Sequence, residues 1–153
     1  MIAIGCDHGG YELKELVKKH LEEKGQEVKD LGCYSKEAVD YPIYGRAVGE
    51  AVADGTCDKG IVICTTGIGI SISANKVKGV RAALCADTLS AKMTRLHNDA
   101  NVLAMGAGIV GSNLALEIVD TFLATDFSHV ERHQRRVDMI EGKETRSATS
   151  CCG

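Results

Sequence analysis

Residues 61–76, reading IVICTTGIGISISANK, carry an apolar run straight into a cysteine, two threonines and spaced glycines. That order describes a strand that delivers a thiol to a glycine-rich turn and then enters a helix, so it restricts the chain to folds built from strand-turn-helix units. Gly67 and Gly69 permit a tight turn with uncovered amide N–H groups, and Ser71 onward reads as the first helical turn. Such a loop can cradle an anion beside a nucleophile or base. A thiol at a helix N-terminus is favoured as thiolate, which makes Cys64 a candidate for chemistry. The competing reading is a buried, inert cysteine closing a core strand, because free cysteines are among the most buried side chains.

The same unit recurs along the chain. Residues 1–6 read as a first strand, and between 11 and 24 the apolar positions Leu13, Leu16, Val17 and Leu21 share one helical face closed by Gly25. Residues 27–31 form a weak second strand. Tyr44, Ala47, Val48, Ala51 and Val52 repeat the helical spacing, with Gly55 just beyond. Strands are predicted over 60–64, 80–86 and 102–105. Helices are predicted from Ser71 onward, over 88–97, through Ala115, Ile118, Val119, Phe122 and Leu123, and over 131–140. Near-continuous apolar strands predict a sheet covered on both faces, and the alternation implies parallel, right-handed crossovers. The expected fold is therefore α/β, a doubly wound, Rossmann-like α/β/α sandwich with a five-stranded parallel sheet. With 153 residues and 44% apolar composition the chain makes one domain with a substantial core, expected over residues 1–144 and followed by a flexible tail at 145–153. Ligands in such sheets sit at the carboxyl ends of the strands, near the point where strand order reverses.

Composition narrows the partners. A net charge of −3 gives no basic surface suited to nucleic acid. The start MIAIGCDHGG has neither a basic segment nor a long apolar one, and no window approaches a membrane span, so a soluble protein without a membrane partner is expected. Seven cysteines, odd in number and without a C-x-x-C pair, indicate neither a disulfide framework nor a zinc ribbon. A reducing, cytoplasmic compartment is expected, with no metal.

Several strand ends carry polar groups. Asp7 and His8 follow the first strand and precede two glycines, which places an acid and an imidazole at the mouth of the expected crevice; equally, Asp7 caps the next helix and His8 is a solvated loop residue. His97 and Asn98 end a helix just before the fifth strand, where the helix C-terminus alone would favour a histidine. Arg132, His133, Arg135 and Arg136 cluster in ERHQRR, either a solvated basic face or, for a small anionic substrate, a phosphate clamp of arginines one helical turn apart. The turn GCDHGG lacks G-x-G-x-x-G spacing and T-G-I-G-I-S follows the third strand, which weakens a dinucleotide reading; no G-x-x-x-x-G-K-[ST] is present.

Taken together, CDHGG, DYP at residues 40–42, ICTTGIGISISANK, RLHNDANVL and RHQRRV resemble the type B ribose-5-phosphate isomerases and their galactose-6-phosphate isomerase relatives, in order and over nearly the whole chain. The resemblance implies interconversion of ribose 5-phosphate and ribulose 5-phosphate through a cis-enediolate, with no cofactor. It also implies a homodimer, or a higher oligomer, with active sites at the subunit interface. By this resemblance Cys64 is the base that moves a proton between C2 and C1, His97 opens the furanose ring and Thr66 bonds near the reacting oxygens. Amides from Gly67 through Ile68 and Gly69 to about Ser71 hold the enediolate oxygen, and Thr65 stands among the substrate-binding residues. Asn98 binds a sugar hydroxyl, Asp7 and His8 hold ring oxygens and phosphate, Arg132 and Arg136 take the phosphate, and Tyr41 lines the pocket.

Two positions depart from the family pattern. Thr65 stands where relatives often have glycine beside the base, so a stiffer loop or narrower pocket is expected. Gly108 stands where many relatives place a further phosphate arginine, from which activity on unphosphorylated aldoses such as allose is expected. The competing readings are a hexose-phosphate isomerase acting on allose 6-phosphate or galactose 6-phosphate, a non-catalytic sugar-phosphate binding subunit, and a redox role for Cys64. Retention of Cys64, His97, Asp7 and both arginines argues against the binding subunit, and the lack of a resolving cysteine nearby in sequence argues against the redox role.

Overall fold

A computed structural model describes residues 1–143, and the expected tail lies outside the described residues. The strands β1 (Ile2–Cys6), β2 (Val28–Asp30), β3 (Lys59–Cys64), β4 (Ala82–Leu84) and β5 (Val102–Gly106) form one parallel sheet in the order β2-β1-β3-β5-β4. They alternate with the helices α1 (Tyr11–Glu23), α2 (Tyr41–Ala53), α3 (Ile68–Asn75), α4 (Thr88–Asn98), α5 (Ser112–Ala124) and α6 (Glu131–Ile140). The chain is an α/β sandwich of the expected class. Strand order reverses between β1 and β3, so the Asp7 and Cys64 turns flank the switch point.

Strand alternation builds a core on each side of the sheet. Ile4, Ile61, Ile63 and Leu103 pack with Val17 of α1 and Phe122 of α5 on one face. Val62, Cys64 and Ala104 pack with Val48 of α2 and Ile70 of α3 on the other. No helix among the described residues is long and apolar enough to cross a membrane.

The departures from expectation are local. β2 and β4 are shorter than the strands predicted over 27–31 and 80–86; both are edge strands, which pair on one side only. Helix α2 starts at Tyr41 because Pro42, lacking an N–H, fits a first turn. Helix α3 begins at Ile68 rather than Ser71, since Gly67, at φ +75°, turns the chain through the left-handed region in a single residue. Gly69 then lies inside the helix and serves contact instead of turning: a Cβ there would come 2.5 Å from the Tyr41 ring.

One buried charge shapes the floor of the β1 and β2 ends. Lys14 of α1, between core positions Leu13 and Val17, is fully buried. Its Nζ donates to both Asp30 carboxylate oxygens at 2.9 and 2.8 Å and to the Cys33 carbonyl at 2.8 Å. Burial alone would lower the Lys14 pKa, but the bonds to Asp30 and Glu15 outweigh it and hold it raised; Asp30 is held low by Lys14, the Gly32 amide and Lys18 against its own burial. The pair therefore contributes stability at neutral pH that is lost as acid protonates Asp30 below the ordinary aspartate range, or as base neutralises Lys14 above the ordinary lysine range. Lys14→Ala leaves Asp30 short of its main partner and should lower unfolding free energy by about 3 kcal/mol at about pH 7, a deficit that shrinks by about pH 3. Urea titrations of both proteins at the two pH values read this directly.

Candidate active site

The β3 sequence ends in a sulfur held by backbone. Cys64 is 4% exposed, on the α2 and α3 side of the sheet. Its Sγ accepts the Gly67 N–H at 3.0 Å. The left-handed Gly67 aims that amide back at the sulfur, and a side chain at 67 would meet Met105 and Gly106 backbone at 2.6 and 2.8 Å.

The rest of the loop divides its donors. Thr66 Oγ1 accepts from the Ile68 amide at 3.3 Å, which leaves its hydroxyl proton for a ligand. Ser71 turns both its polar groups inward, its hydroxyl donating to the Ile68 carbonyl at 2.7 Å and its amide to the Gly67 carbonyl at 3.2 Å. The amides of Gly69 and Ile70 are the first-turn donors left without a partner inside the helix. The free amides of the loop are thus fewer than the sequence suggested, centred on Gly69 instead of running through to Ser71.

The β1 turn stands beside this loop. The Asp7 amide donates to the Ile63 carbonyl at 3.2 Å, and its buried carboxylate accepts the Gly10 N–H at 3.1 Å, the capping role weighed above. His8 is exposed, with Nδ1 accepting the Val39 amide at 3.2 Å, so in the neutral ring Nε2 carries the proton. Tyr41 lies against Gly69 and walls the loop on the α2 side. The β5 turn closes the other flank, Ala107 and Gly108 amides donating to the Cys64 and Thr65 carbonyls, each at 2.8 Å. Cys64, Thr65, Thr66, Gly67, Gly69, Asp7, His8 and Tyr41 therefore share one region at the carboxyl edge of the sheet.

His97, Asn98, Arg132 and Arg136 do not join them within one protomer. Helix α4 runs antiparallel to the strands, so His97 and Asn98 end at the amino edge, where the Asn101 carbonyl accepts the Gly60 amide at 2.9 Å. Cys64 is four residues farther along β3, about 13 Å at the usual rise per residue. The two groups also lie on opposite faces, because α4 packs with α5 and Cys64 with α3.

This second cluster is itself built with care for position. The His97 ring lies against the His133 ring at 4.3 Å between centroids. His133 is buried and its Nδ1 is 2.7 Å from Ser128 Oγ. Burial, then the neighbouring His97, Arg132 and Arg136, hold the His133 imidazole below the ordinary histidine range. Arg132 and Arg136 are exposed on α6 beside it. Arg81 braces the base of the cluster, donating to the Asn98 carbonyl at 3.0 Å and to Glu141 at 2.5 Å. An open cleft of about 500 Å³ beside it is lined in part by Arg81, Thr94 and Asn98. Sequence reasoning noted His133 only as part of a basic run and missed Ser128 and Arg81 altogether. Histidine within an arginine cluster was the one available signal, and it did not specify a partner.

Among the described residues no second thiol is hydrogen-bonded to Cys64, whose sulfur is paired with the Gly67 amide. Cys6 and Cys33, with sulfurs 3.8 Å apart, lie on the opposite face, and burial pushes Cys6 up; burial and Asp87 push Cys85 up to about 11.

A parallel α/β sheet carries a thiol, a glycine turn and an imidazole at its switch point, the place where folds of this class bind ligands. The ribose/galactose isomerase family model matches residues 2–140, and the chain belongs to that family. It is 50% identical to ribose-5-phosphate isomerase B of Escherichia coli, over 95% of this chain and 97% of that protein. It is 41% identical to galactose-6-phosphate isomerase subunit LacB of Clostridium acetobutylicum, over 92% and 82%. Among solved structures, ribose-5-phosphate isomerase B of Clostridium thermocellum superposes with a TM-score of 0.91 at 54% identity, covering 92% of this chain and 95% of that one. The Mycoplasma genitalium enzyme with bound ribulose 5-phosphate superposes at 0.88 and 41% identity, covering 92% and 93%.

Proposed function

We propose that this protein is an aldose-ketose isomerase interconverting ribose 5-phosphate and ribulose 5-phosphate, working as a homodimer in the cytoplasm with each active site shared between two copies. The observation that carries the reading is the Cys64 sulfur held on the Gly67 amide at the head of α3, beside the Asp7 and His8 turn. The reducing compartment suits the five buried free cysteines among the described residues.

The chemistry follows from the groups present. His97 opens the furanose by shuttling a proton between the anomeric hydroxyl and the ring oxygen. The Cys64 thiolate takes the C2 proton of the open-chain aldose, leaving an enediolate whose O1 charge meets the Gly69 and Ile70 amides. The O2 proton passes to O1 with Thr66 Oγ1–H as the adjacent donor, and the Cys64 thiol returns its proton to C1. Arg132 and Arg136 from the second copy, with His8 from the first, take the phosphate; Asn98 takes a sugar hydroxyl.

Sharing between copies is supported by the division of the site and by the surface around it. Ile68 and Ile72 of α3 are 52% and 55% exposed, and Leu89 of α4 and Ile109 of the β5 turn are 62% and 63% exposed. Large aliphatic side chains gathered around a polar loop are what a second copy would cover. The decisive assay follows ketose formation with EDTA present, using ribose 5-phosphate, ribose and allose in parallel. Turnover of ribose 5-phosphate insensitive to EDTA is the expected result. Comparable kcat/KM for a free sugar would show that Gly108 has relaxed the demand for phosphate, and no turnover of ribose 5-phosphate would overturn the assignment.

A further inference from the structure

Resting on the isomerase reading above, we infer that Thr65 sets the length of sugar phosphate the site accepts, admitting a five-carbon chain and excluding a six-carbon one. Thr65 directly follows the thiol, is exposed at the crevice, and fills the gap between the β1 and β5 turns. A Cβ at Gly9 would stand 2.1 Å from its Oγ1, and a Cβ at Gly108 would stand 3.3 Å from its Cγ2 and 3.1 Å from its carbonyl oxygen. Both neighbours are glycine, and both arms of the branched side chain are in use. The threonine thus occupies what side chains on either flank would need.

The backbone fixes this wedge in place. The Thr65 carbonyl accepts the Gly108 amide at 2.8 Å, and the β1 turn is tied to β3 by the Asp7 amide on the Ile63 carbonyl at 3.2 Å. On the isomerase reading the reacting end of a substrate is held at Cys64 and its phosphate by His8 on the β1 turn with Arg132 and Arg136 of the second copy, and Thr65 stands where the Cys64 and His8 turns meet. Thr65→Ala deletes one carbon and one oxygen, the heavy atoms of one extra CHOH unit.

The test compares kcat/KM for ribose 5-phosphate and allose 6-phosphate in the wild type, Thr65→Ala and Thr65→Val. The wild type should prefer the pentose, Thr65→Ala should shrink that preference about tenfold, and the isosteric Thr65→Val should hold it within about twofold. An unchanged ratio in Thr65→Ala, or equal relaxation in Thr65→Val, would overturn the inference, the latter by showing that the hydroxyl matters instead of the volume. A wild type that turns over both sugars equally would overturn it while leaving the isomerase reading intact; a wild type inactive on both would overturn that reading. Thermal denaturation checks the wedge independently of activity. Gly9→Ala should lower Tm, and Gly9→Ala with Thr65→Ala should recover most of the loss, whereas additive effects would mean that the two residues do not press on each other.

Discussion

A Cys64→Ala variant and a His97→Ala variant, each inactive alone, should regain activity when unfolded and refolded together. If a site takes its thiol from one copy and its imidazole from the other, a hybrid dimer holds one doubly damaged site and one intact site. Random pairing from an equimolar mixture then gives about a quarter of the wild-type sites. The reason to expect this lies in the topology: β3 presents Cys64 at the carboxyl edge of the sheet, and α4 presents His97 at the amino edge on the other face. A kcat near zero in the refolded mixture, with both variants folded and dimeric, would mean that each chain works alone or that the cluster around His97 has another task.

The second large effect is that of Cys64→Ala by itself. Because the thiolate acts mainly in the transition state, kcat should fall by about 10³-fold or more while substrate affinity changes by only a fewfold. Cys64→Ser should fare no better, since a serine hydroxyl is not ionised at neutral pH. Steady-state kinetics on ribose 5-phosphate gives the loss, and calorimetric binding of the substrate to the inactive variants gives the affinity. Equal loss of both would return Cys64 to the inert core role, which its 4% exposure alone would also fit. What separates the two readings is the Gly67 amide at 3.0 Å on the sulfur, a contact a buried structural thiol does not require.

These effects depend on different kinds of information in the chain. The core stripes of α1, α2 and α5 were legible because helical period and burial are the same property seen from two sides: Val17, Val48, Ile118 and Phe122, each on a sequence-predicted stripe, are fully buried. Helix α6 lies where its pattern placed it, at Glu131–Ile140. The start of α3 was misplaced by three residues, because one left-handed glycine can replace the longer turn that two glycines seemed to describe.

Lys14 was not legible at all. Its place between Leu13 and Val17 gives no hint that the ammonium is fully buried, and only the β2 edge arriving with Asp30 makes that burial tolerable. His133 was visible as a residue but not as the neighbour of His97, a contact that exists because α6 folds back over α4.

By itself the sequence determined what depends on near neighbours: strands and helices in alternation, a parallel sheet with two apolar cores, and a thiol leaving β3 into a turn that exposes amides. Only the tertiary structure decided which ends of those elements meet. It put Asp7, His8 and Tyr41 around Cys64, sent His97 and the arginines to the far edge of the sheet, and wedged Thr65 between two glycines distant in sequence. Periodicity and turn chemistry act over a few residues, whereas strand order and helix direction bring together groups whose spacing along the chain carries no trace of their separation in space.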